Sequence, residues 1–152
     1  MKSACAISIC SYKWMLENVN DYQPKYLVSV MDYGETIETP PSISRDNHLR
    51  FNICDSSEWS RKTDRKALLR LLDFGSNWNG RDRVLVHCGL GISRSPAIAL
   101  ILACQKSPGR ESDVARSLRL LAPFVSPNPD VIDVADDLLN LRGELVRARK
   151  AM

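Results

Sequence analysis

The sequence has few of the residues that build metal sites and disulfide frameworks. Its 152 residues include two histidines, His48 and His87, and no Cys-x-x-Cys pair accompanies them, so we expect no structural or catalytic zinc site. The five cysteines are an odd number and lack the dense spacing of a disulfide scaffold. We interpret Cys5, Cys10 and Cys104, which lie in apolar segments, as packed thiols.

The net charge of the chain is small, and its apolar runs are short. Lysine and arginine number 21 against 18 acidic residues, and the resulting net charge of +3 is too small to predict nucleic-acid binding. No apolar run approaches the roughly 20 residues that cross a bilayer, so we expect no membrane partner. The apolar part of the first ten residues is short for a signal peptide and fits a first core strand better. The length suits one domain over 1–152.

The most informative stretch is VLVHCGLGISRS, residues 84–95. Three apolar β-forming residues predict a short buried strand, and the apolar run over 95–104 predicts a buried helix. Pro96 fits the first helical turn, where its missing N–H would have no intrahelical partner. The predicted order is therefore strand, glycine-containing loop and helix, with Cys88 at the end of the strand and Arg94 at the start of the helix.

That geometry predicts an anion site that contains a nucleophile. A loop that closes onto a helix N-terminus directs several backbone N–H groups, and the positive end of the helix dipole, at one point. Gly89 and Gly91 allow positive φ or a close approach to a ligand, and the same field stabilises a Cys88 thiolate. Arg94 can hold two oxygens with its planar guanidinium. A buried structural cysteine is the plain alternative, but it leaves both glycines and Arg94 unexplained.

The rest of the chain alternates predicted strands with predicted helices. Strands are expected over 4–9, 25–31 and 48–55. Helices are expected over 13–19, from a Thr63 cap to 74, from 111 or 112 to 121, and as one long helix from the Asn128-Pro129 cap that frays over 146–152. Such alternation predicts an α/β fold with a central, mainly parallel sheet and helices on both faces. Ligands bind such sheets at the carboxyl ends of the strands, where Cys88 lies.

The stretch His87-Cys88-x5-Arg94-Ser95 resembles the signature of the cysteine-dependent protein tyrosine phosphatases, and residues 91–95 look most like the compact dual-specificity branch and small bacterial relatives. The resemblance implies a phosphatase-like fold, with the phosphate loop between the last core strand and a buried helix. It also implies metal-independent hydrolysis of a phosphomonoester through a phosphocysteine, without a cofactor. In that comparison the phosphate is held by six successive residues: Gly89, Leu90, Gly91, Ile92, Ser93 and Arg94.

The resemblance also implies a general acid, because the leaving oxygen needs a proton. In the family this is an aspartate on a loop after an upstream strand, and Asp55 matches that position. The Trp-Pro pair that often precedes the family's aspartate is replaced here by Ile53-Cys54. The plain alternative for Asp55 is a residue that initiates a loop, and Glu58 and Asp64 are the other candidates for the acid.

Three further residues have both a family role and a structural one. Ser95 resembles the hydroxyl that assists breakdown of the phosphocysteine, and its plain role is helix capping. His87 resembles the histidine that braces the loop, and we interpret it as a hydrogen-bonded buried side chain rather than a proton shuttle. Asn128 resembles the family's Pro-Asn element, which supports the phosphate loop, although the usual Gly-Phe is Asp130-Val131 here; helix N-capping explains it equally well.

The leading hypothesis is a protein tyrosine or dual-specificity phosphatase that acts in the cytoplasm, since a nucleophilic cysteine needs a reducing compartment. Its partner is a phosphorylated protein or a small phosphomonoester. Lipid-phosphatase relatives tend to have lysines where this loop has the apolar Leu90 and Ile92, which favours phosphoprotein substrates over polyphosphoinositides. The alternatives are a phosphate-recognising module with impaired catalysis, a phosphatase of non-protein phosphomonoesters, and sulfur transfer of the rhodanese type.

Overall fold

The structure is a computed structural model that describes the backbone over residues 6–55 and 61–152 and, within these, the side chains of 6–55 and 65–152. Four strands of this described part of the chain form one parallel sheet in the order β1-β4-β2-β3. Their bounds are β1 Ile7–Ser11, β2 Tyr26–Met31, β3 His48–Asn52 and β4 Val84–Cys88. The predicted parallel sheet is confirmed, and its strands all present their carboxyl ends at one edge.

Within residues 6–55 and 61–152, six α-helices accompany the sheet: α1 Met15–Tyr22, α2 Arg61–Asn77, α3 Arg94–Gln105, α4 Glu111–Leu121, α5 Pro129–Leu138 and α6 Glu144–Lys150. Val84 and Val86 pack into the larger core cluster with α3 and α5, while Leu85 between them packs into a second cluster with Met15 and Val19 of α1. Because alternate residues of a strand point to opposite faces, helices cover both faces, as predicted. Within the described residues, no helix is both long and apolar enough to cross a membrane.

The central strand β4 ends at the carboxyl edge of the sheet, directly before the loop that contains the candidate site. It hydrogen-bonds to β1 on one side and to β2 on the other, and all five of its residues are buried. Strands buried on both faces are expected to be continuously apolar. The two residues of β4 that depart from this rule, His87 and Cys88, come last, at the carboxyl edge.

Several predicted boundaries are wrong: β1 runs to Ser11 and not to residue 9, α1 to Tyr22 and not to 19, and α2 to Asn77 and not to 74. Two more lie around the strand β3. The strand ends at Asn52, so the chain has left the sheet three residues before Asp55. Asn52 Nδ2 donates to the backbone carbonyls of Asp32 and Glu35, 2.8 Å away in each case, which ties the end of β3 to the loop after β2. The following helix begins at Arg61, two residues before the predicted cap at Thr63.

The predicted long final helix is also wrong, because the chain forms two helices with a break between Leu138 and Glu144. Asn140 and Arg142 adopt positive φ, and Gly143 follows with φ 87°. The buried Asp136 carboxylate accepts hydrogen bonds from the backbone N–H groups of Gly143, Leu145 and Val146 at 2.8, 2.8 and 3.3 Å. This carboxylate caps α6, since the first N–H groups of a helix have no intrahelical acceptor, and the segment expected to fray is helical to Lys150.

Candidate active site

The loop between β4 and α3 surrounds the thiol of Cys88. The residue is 1% exposed, and its Sγ accepts a hydrogen bond from the backbone N–H of Gly91 at 3.3 Å. The hydroxyl of Ser95, in the first turn of α3, lies 3.2 Å from the same sulfur. A helix N-terminus, a backbone N–H and a hydroxyl thus converge on one sulfur.

Gly91 has a conformation and a packing environment that no other residue can match. Its φ is 73°, and a Cβ placed on it would lie 2.8 Å from the backbone carbonyl carbon of Cys10 and 2.9 Å from the amide nitrogen of Ser11. The loop therefore rests directly on the backbone of β1. Of the two glycines, Gly91 is the one that needs positive φ, whereas a Cβ on Gly89 would lie 3.5 Å from Nη2 of Arg94.

Arg94 begins α3 and is 6% exposed. Its Nη1 donates to Oδ1 of Asp32 at 2.7 Å and to the backbone carbonyl of Ile53 at 2.9 Å. Its Nε is buried without a hydrogen-bond partner among the described residues. A buried guanidinium N–H without a partner is costly, so the side chain is arranged to receive an acceptor from a ligand.

Asp55 lies beside the loop, three residues after β3. One carboxylate oxygen, Oδ1, accepts hydrogen bonds from the hydroxyl of Ser93 at 2.7 Å and from Nδ2 of Asn128 at 2.9 Å. Asp55 is exposed, which leaves it accessible to a bound substrate. The structure thus brings Asp55 to the same loop as Cys88 and Arg94. Glu58 lies outside the described residues, as does the side chain of Asp64, so neither can be compared with it.

Asn128 serves two elements at once. Its Oδ1 accepts hydrogen bonds from the backbone N–H groups of Asp130 and Val131 at 3.0 and 3.1 Å, which is an N-cap of α5. Its backbone N–H donates to the carbonyl of Ser93 at 3.0 Å, and its Nδ2 holds Asp55. Asn128 therefore makes both of the expected kinds of contact: it caps α5, and it hydrogen-bonds to the loop.

The two histidines share one serine hydroxyl behind the loop. Ser29 Oγ lies 2.6 Å from Nε2 of His87 and 2.8 Å from Nε2 of His48, whose Nδ1 is 2.8 Å from the hydroxyl of Thr39. Burial lowers the pKa of both imidazoles to about 4. At His87 a hydrogen bond with the backbone of Cys88 partly offsets this lowering of the pKa. At His48 the charge of Arg50 lowers the pKa further. His87, the residue directly before Cys88, is thus a neutral, hydrogen-bonded buried side chain, as interpreted from the sequence.

The remaining thiols differ from Cys88 in their surroundings. Burial, and secondarily the charge of Cys88, raise the pKa of the Cys10 thiol to about 12, so this thiol is protonated at neutral pH. Cys104 is 3% exposed in the core. Both fit the prediction of packed thiols, and Cys5 lies outside the described residues.

The mouth of the site is apolar. Leu90 is 78% exposed and Ile92 40%. Tyr12, 53% exposed, lies against the loop, where its backbone N–H donates to the carbonyl of Gly89 at 3.2 Å. These side chains can contact the part of a ligand that projects from the anion site.

Sequence reasoning missed two parts of this arrangement, the Asp32 carboxylate on Arg94 and the pairing of the histidines through Ser29. Asp32 follows β2 directly. Because functional residues gather at the carboxyl ends of parallel strands, its position after a predicted strand could have marked Asp32 as a candidate. The contact of Ser29 with His87 follows from strand register, since residue 29 pairs with residue 87, and no local pattern contains that information.

No protein-family model matches the sequence, and no curated protein matches it. Solved structures match nearly the whole chain. The crystal structure of DUSP15 matches with a TM-score of 0.66 at 16% identity, covering 100% of this chain and 96% of that one. The Yvh1 phosphatase domain from Chaetomium thermophilum gives 0.65 at 18% identity, with 95% and 96% covered. Human tyrosine phosphatase-like serine/threonine/tyrosine-interacting protein gives 0.60 at 14%, with 90% and 93% covered. The chain therefore has the fold of the dual-specificity phosphatases.

Proposed function

We propose that this protein is a metal-independent phosphomonoester hydrolase of the protein tyrosine phosphatase type, with one phosphatase domain over 1–152. The observation that carries the proposal is the convergence of three groups on one loop. Cys88 Sγ lies 3.3 Å from the Gly91 amide, and the Asp55 carboxylate is hydrogen-bonded to Ser93. The guanidinium of Arg94 is buried, and its Nε has no partner in the part of the chain that the structure describes. Nucleophile, anion clamp and proton donor are the three requirements of this chemistry.

The first step transfers the phosphoryl group to the protein. The Cys88 thiolate attacks phosphorus in line with the leaving oxygen, the S–P bond forms, and the P–O bond to the leaving group breaks. Asp55 gives its proton to the leaving oxygen. The backbone amides of residues 89–94 and the guanidinium of Arg94 stabilise the three equatorial oxygens.

The second step returns the protein to its starting state. Asp55, now a carboxylate, takes a proton from a water molecule that attacks phosphorus. The S–P bond breaks, inorganic phosphate leaves, and the departing thiolate accepts a hydrogen bond from the hydroxyl of Ser95, which lies 3.2 Å from the sulfur. His87 takes no part in proton transfer, because its imidazole is neutral, buried and bonded to Ser29.

The substrate class that this site fits is phosphotyrosine or a mixed set of phosphorylated side chains on proteins. The exposed apolar side chains at its mouth suit an aromatic or aliphatic group attached to the phosphate, and the loop itself carries no lysine to bind further phosphates. A small non-protein phosphomonoester is the second candidate. A cytoplasmic setting is part of the proposal, since the Cys88 thiol is free and such a nucleophile requires reducing conditions.

The experiment that tests the proposal compares wild type with Cys88→Ser on an aryl phosphate in the presence of EDTA. Wild type should turn over and form a phosphoenzyme that can be trapped by rapid quench. Cys88→Ser should fold normally, and its kcat should lie below about a thousandth of wild type, a loss of roughly 4 kcal/mol of barrier stabilisation. Higher residual activity would remove Cys88 as nucleophile.

Thiosulfate and a phosphopeptide, added as further substrates of the same assay, separate the alternatives. Turnover of thiosulfate and not of aryl phosphate would indicate sulfur transfer. Binding of a phosphopeptide by wild type without hydrolysis would indicate a recognition module. Inhibition by EDTA that a divalent metal reverses would indicate a metal-dependent mechanism.

A further inference from the structure

The four most exposed large apolar side chains of the described residues lie on two segments that contact each other. One is Leu90 of the phosphate loop, which is 78% exposed. The other three are at the end of α4 and in the turn that follows it, where Leu120, Leu121 and Phe124 are 84%, 74% and 70% exposed. Apolar surface concentrated in this way marks a site of interaction, whereas single exposed apolar residues need no explanation.

Backbone hydrogen bonds attach the segment after α4 to the phosphate loop. The backbone N–H of Ser126 donates to the carbonyl of Ile92 at 2.7 Å, and that of Asn128 donates to the carbonyl of Ser93 at 3.0 Å. Phe124 precedes Ser126 by two residues, so their Cα atoms are at most about 7 Å apart. Phe124 is therefore held at the same rim of the proposed active site as Ile92.

Arg119 holds the turn around Phe124 in a fixed shape. The backbone N–H of Val125 donates to the carbonyl of Ala122 at 3.3 Å, which closes a turn with Pro123 and Phe124 at its tip. Nη1 of Arg119 donates to the carbonyls of Pro123 and Val125 at 2.6 and 2.9 Å. Because the backbone of the turn is already ordered, a ligand that contacts Phe124 has little conformational entropy to remove.

The two leucines at the end of α4 lie on different sides of the helix. Val114 and Leu118 pack against the larger core cluster, and Leu121 continues their spacing of i, i+4 and i+7, which places it on the same inner side. The described residues nevertheless leave Leu121 largely uncovered. Leu120 is offset from Leu118 by about 200° at roughly 100° per residue, so it lies on the outer side of α4.

We propose that Leu121 and Phe124, which together we call the rim patch, bind apolar side chains that flank the phosphorylated residue of a protein substrate. This inference rests on the proposed function, because it specifies the substrate class of the same site. An extended peptide advances about 3.3 Å per residue, so the patch lies about two or three peptide residues away from the phosphate loop. The loop then binds the phosphate while the patch selects the neighbouring sequence.

A peptide fits this patch better than a second copy of the chain or a membrane. The two side chains of the patch cannot bury the roughly 800 Å² per partner that a stable dimer needs. Contact with an anionic bilayer uses apolar side chains flanked by free basic ones, whereas the guanidinium of Arg119 beside the patch is bonded to backbone carbonyls. A short apolar segment next to a phosphorylated residue requires neither a large area nor free cations.

The test compares two phosphotyrosine peptides of equal length and charge. One has leucine, and the other serine, at the second and third positions on each side of the phosphotyrosine. Each kcat/KM is divided by the value of the same protein for an aryl phosphate, which is too small to reach the patch and so reports the chemical step. Wild type should prefer the leucine peptide by at least about tenfold, the scale of selectivity of a hydrophobic pocket.

The variants are a double substitution, Leu121→Gln with Phe124→Gln, and the matched control Leu120→Gln. The double variant should lose the preference for the leucine peptide, because both apolar contacts are gone. Leu120→Gln removes an equally exposed leucine from the outer side of the same helix end, so its preference should match that of wild type. Melting temperatures check that all three proteins are folded.

The outcomes separate this inference from the function on which it rests. Hydrolysis of the aryl phosphate without a peptide preference in wild type, or with one that the double variant retains, overturns the inference and leaves the phosphatase intact. A wild-type dimer that the double variant converts to a monomer in gel filtration assigns the patch to a second copy and also overturns it. Binding to phosphatidylserine vesicles that only the double variant loses assigns the patch to a membrane instead. A wild-type protein that hydrolyses neither the peptides nor the aryl phosphate removes the proposed function itself.

Discussion

The hydroxyl oxygen of Ser29 lies 2.6 Å from Nε2 of His87, the residue directly before Cys88. The same oxygen is 2.8 Å from Nε2 of His48. A serine hydroxyl donates one proton and can accept two hydrogen bonds, so at least one of the two rings must donate its Nε2 proton to Ser29. A ring that instead accepts from Ser29 through Nε2 loses this hydrogen bond when that nitrogen is protonated.

This relationship predicts a loss of stability in acid. The folded-state pKa of each histidine is about 4, below the ordinary value of about 6.5 for an unfolded chain. The unfolded state therefore takes up protons first, and each group costs up to about 1.4 kcal/mol of stability per pH unit as the pH falls through this window. We expect the melting temperature to drop between pH 7 and pH 4.5.

A variant checks the origin of that drop. His48→Gln removes one of the two titrating groups, so the pH dependence of its melting temperature should be shallower than that of wild type, although its stability at pH 7 is lower. Equal slopes in the two proteins would assign the acid lability to carboxylates instead.

Replacing Arg94 by lysine should impair the site severely although the charge is kept. A single ammonium cannot occupy Asp32, the Ile53 carbonyl and two phosphate oxygens at once. We expect kcat/KM for an aryl phosphate to fall at least about a hundredfold, the scale of losing one preorganised donor to the transition state. Steady-state kinetics measures this, and near-normal kcat/KM would exclude Arg94 from the anion site.

The role of Asp55 predicts a particular pH profile. Wild-type kcat/KM should be bell-shaped, with an alkaline limb that reports loss of the donor proton. Asp55→Asn should flatten that limb and lower the rate by about a hundredfold to ten-thousandfold. The loss should be largest for alkyl phosphates, whose leaving groups most need a proton, and smallest for activated aryl phosphates.

The pH profile of kcat/KM should also be measured for Glu58→Gln and Asp64→Asn, which replace the other two candidates for the acid. Both should keep the alkaline limb of wild type. If one of them loses it while Asp55→Asn does not, the acid lies further along the chain than Asp55.

Two substitutions of Asn128 separate its cap from its contact with the acid. Asn128→Asp keeps the oxygen that caps α5 but replaces the Nδ2 donor with a second carboxylate beside Asp55, 2.9 Å away in wild type. A nearby like charge disfavours ionisation, so the alkaline limb of kcat/KM should move to higher pH. Asn128→Ala loses the cap as well and should unfold with about 1 kcal/mol less free energy. An unmoved limb in Asn128→Asp would mean that this contact does not influence the donor.

Glycine substitutions provide a matched pair. Gly91→Ala places a Cβ 2.8 Å from the backbone of Cys10, whereas a Cβ on Gly34 meets nothing within 4 Å, and both residues have positive φ. Both alanine variants therefore have the conformational penalty of a positive φ, but only Gly91→Ala also has a steric clash. We expect Gly34→Ala to cost about 1 kcal/mol and Gly91→Ala to cost clearly more and to abolish vanadate binding. Equal melting temperatures would contradict the packing of the loop on β1.

The parts of this protein that could be predicted are those that depend on residues close together in the sequence. The strand, loop and helix over 84–104 follow from residues that touch along the chain, and so does the cap at Asn128. The parallel sheet follows from the alternation of elements. These inferences need no knowledge of which strands become neighbours.

What could not be predicted depends on contacts between distant residues. The Asp32–Arg94 pair requires β2 to lie next to β4, and the strand order is not encoded locally. The break between α5 and α6 depends on the Asp136 carboxylate, which competes with helix continuation only because it is buried and faces the N–H groups of residues 143–146. An apolar stripe that continues through Leu141 and Leu145 conceals that break, since both helices pack on the same core.

The hydrogen bond between Asn128 and Asp55 spans 73 positions, and this separation bears on how the protein matures during synthesis. The residues of the loop around Cys88 are present once residue 95 has left the ribosome, but the hydrogen-bond partner of Asp55 belongs to the last quarter of the chain. Contacts between such distant residues form late, because a long loop must close before they are made. On the proposed mechanism, a nascent chain thus carries Cys88 before Asp55 is positioned, and competence for the full reaction coincides with completion of the core around α5.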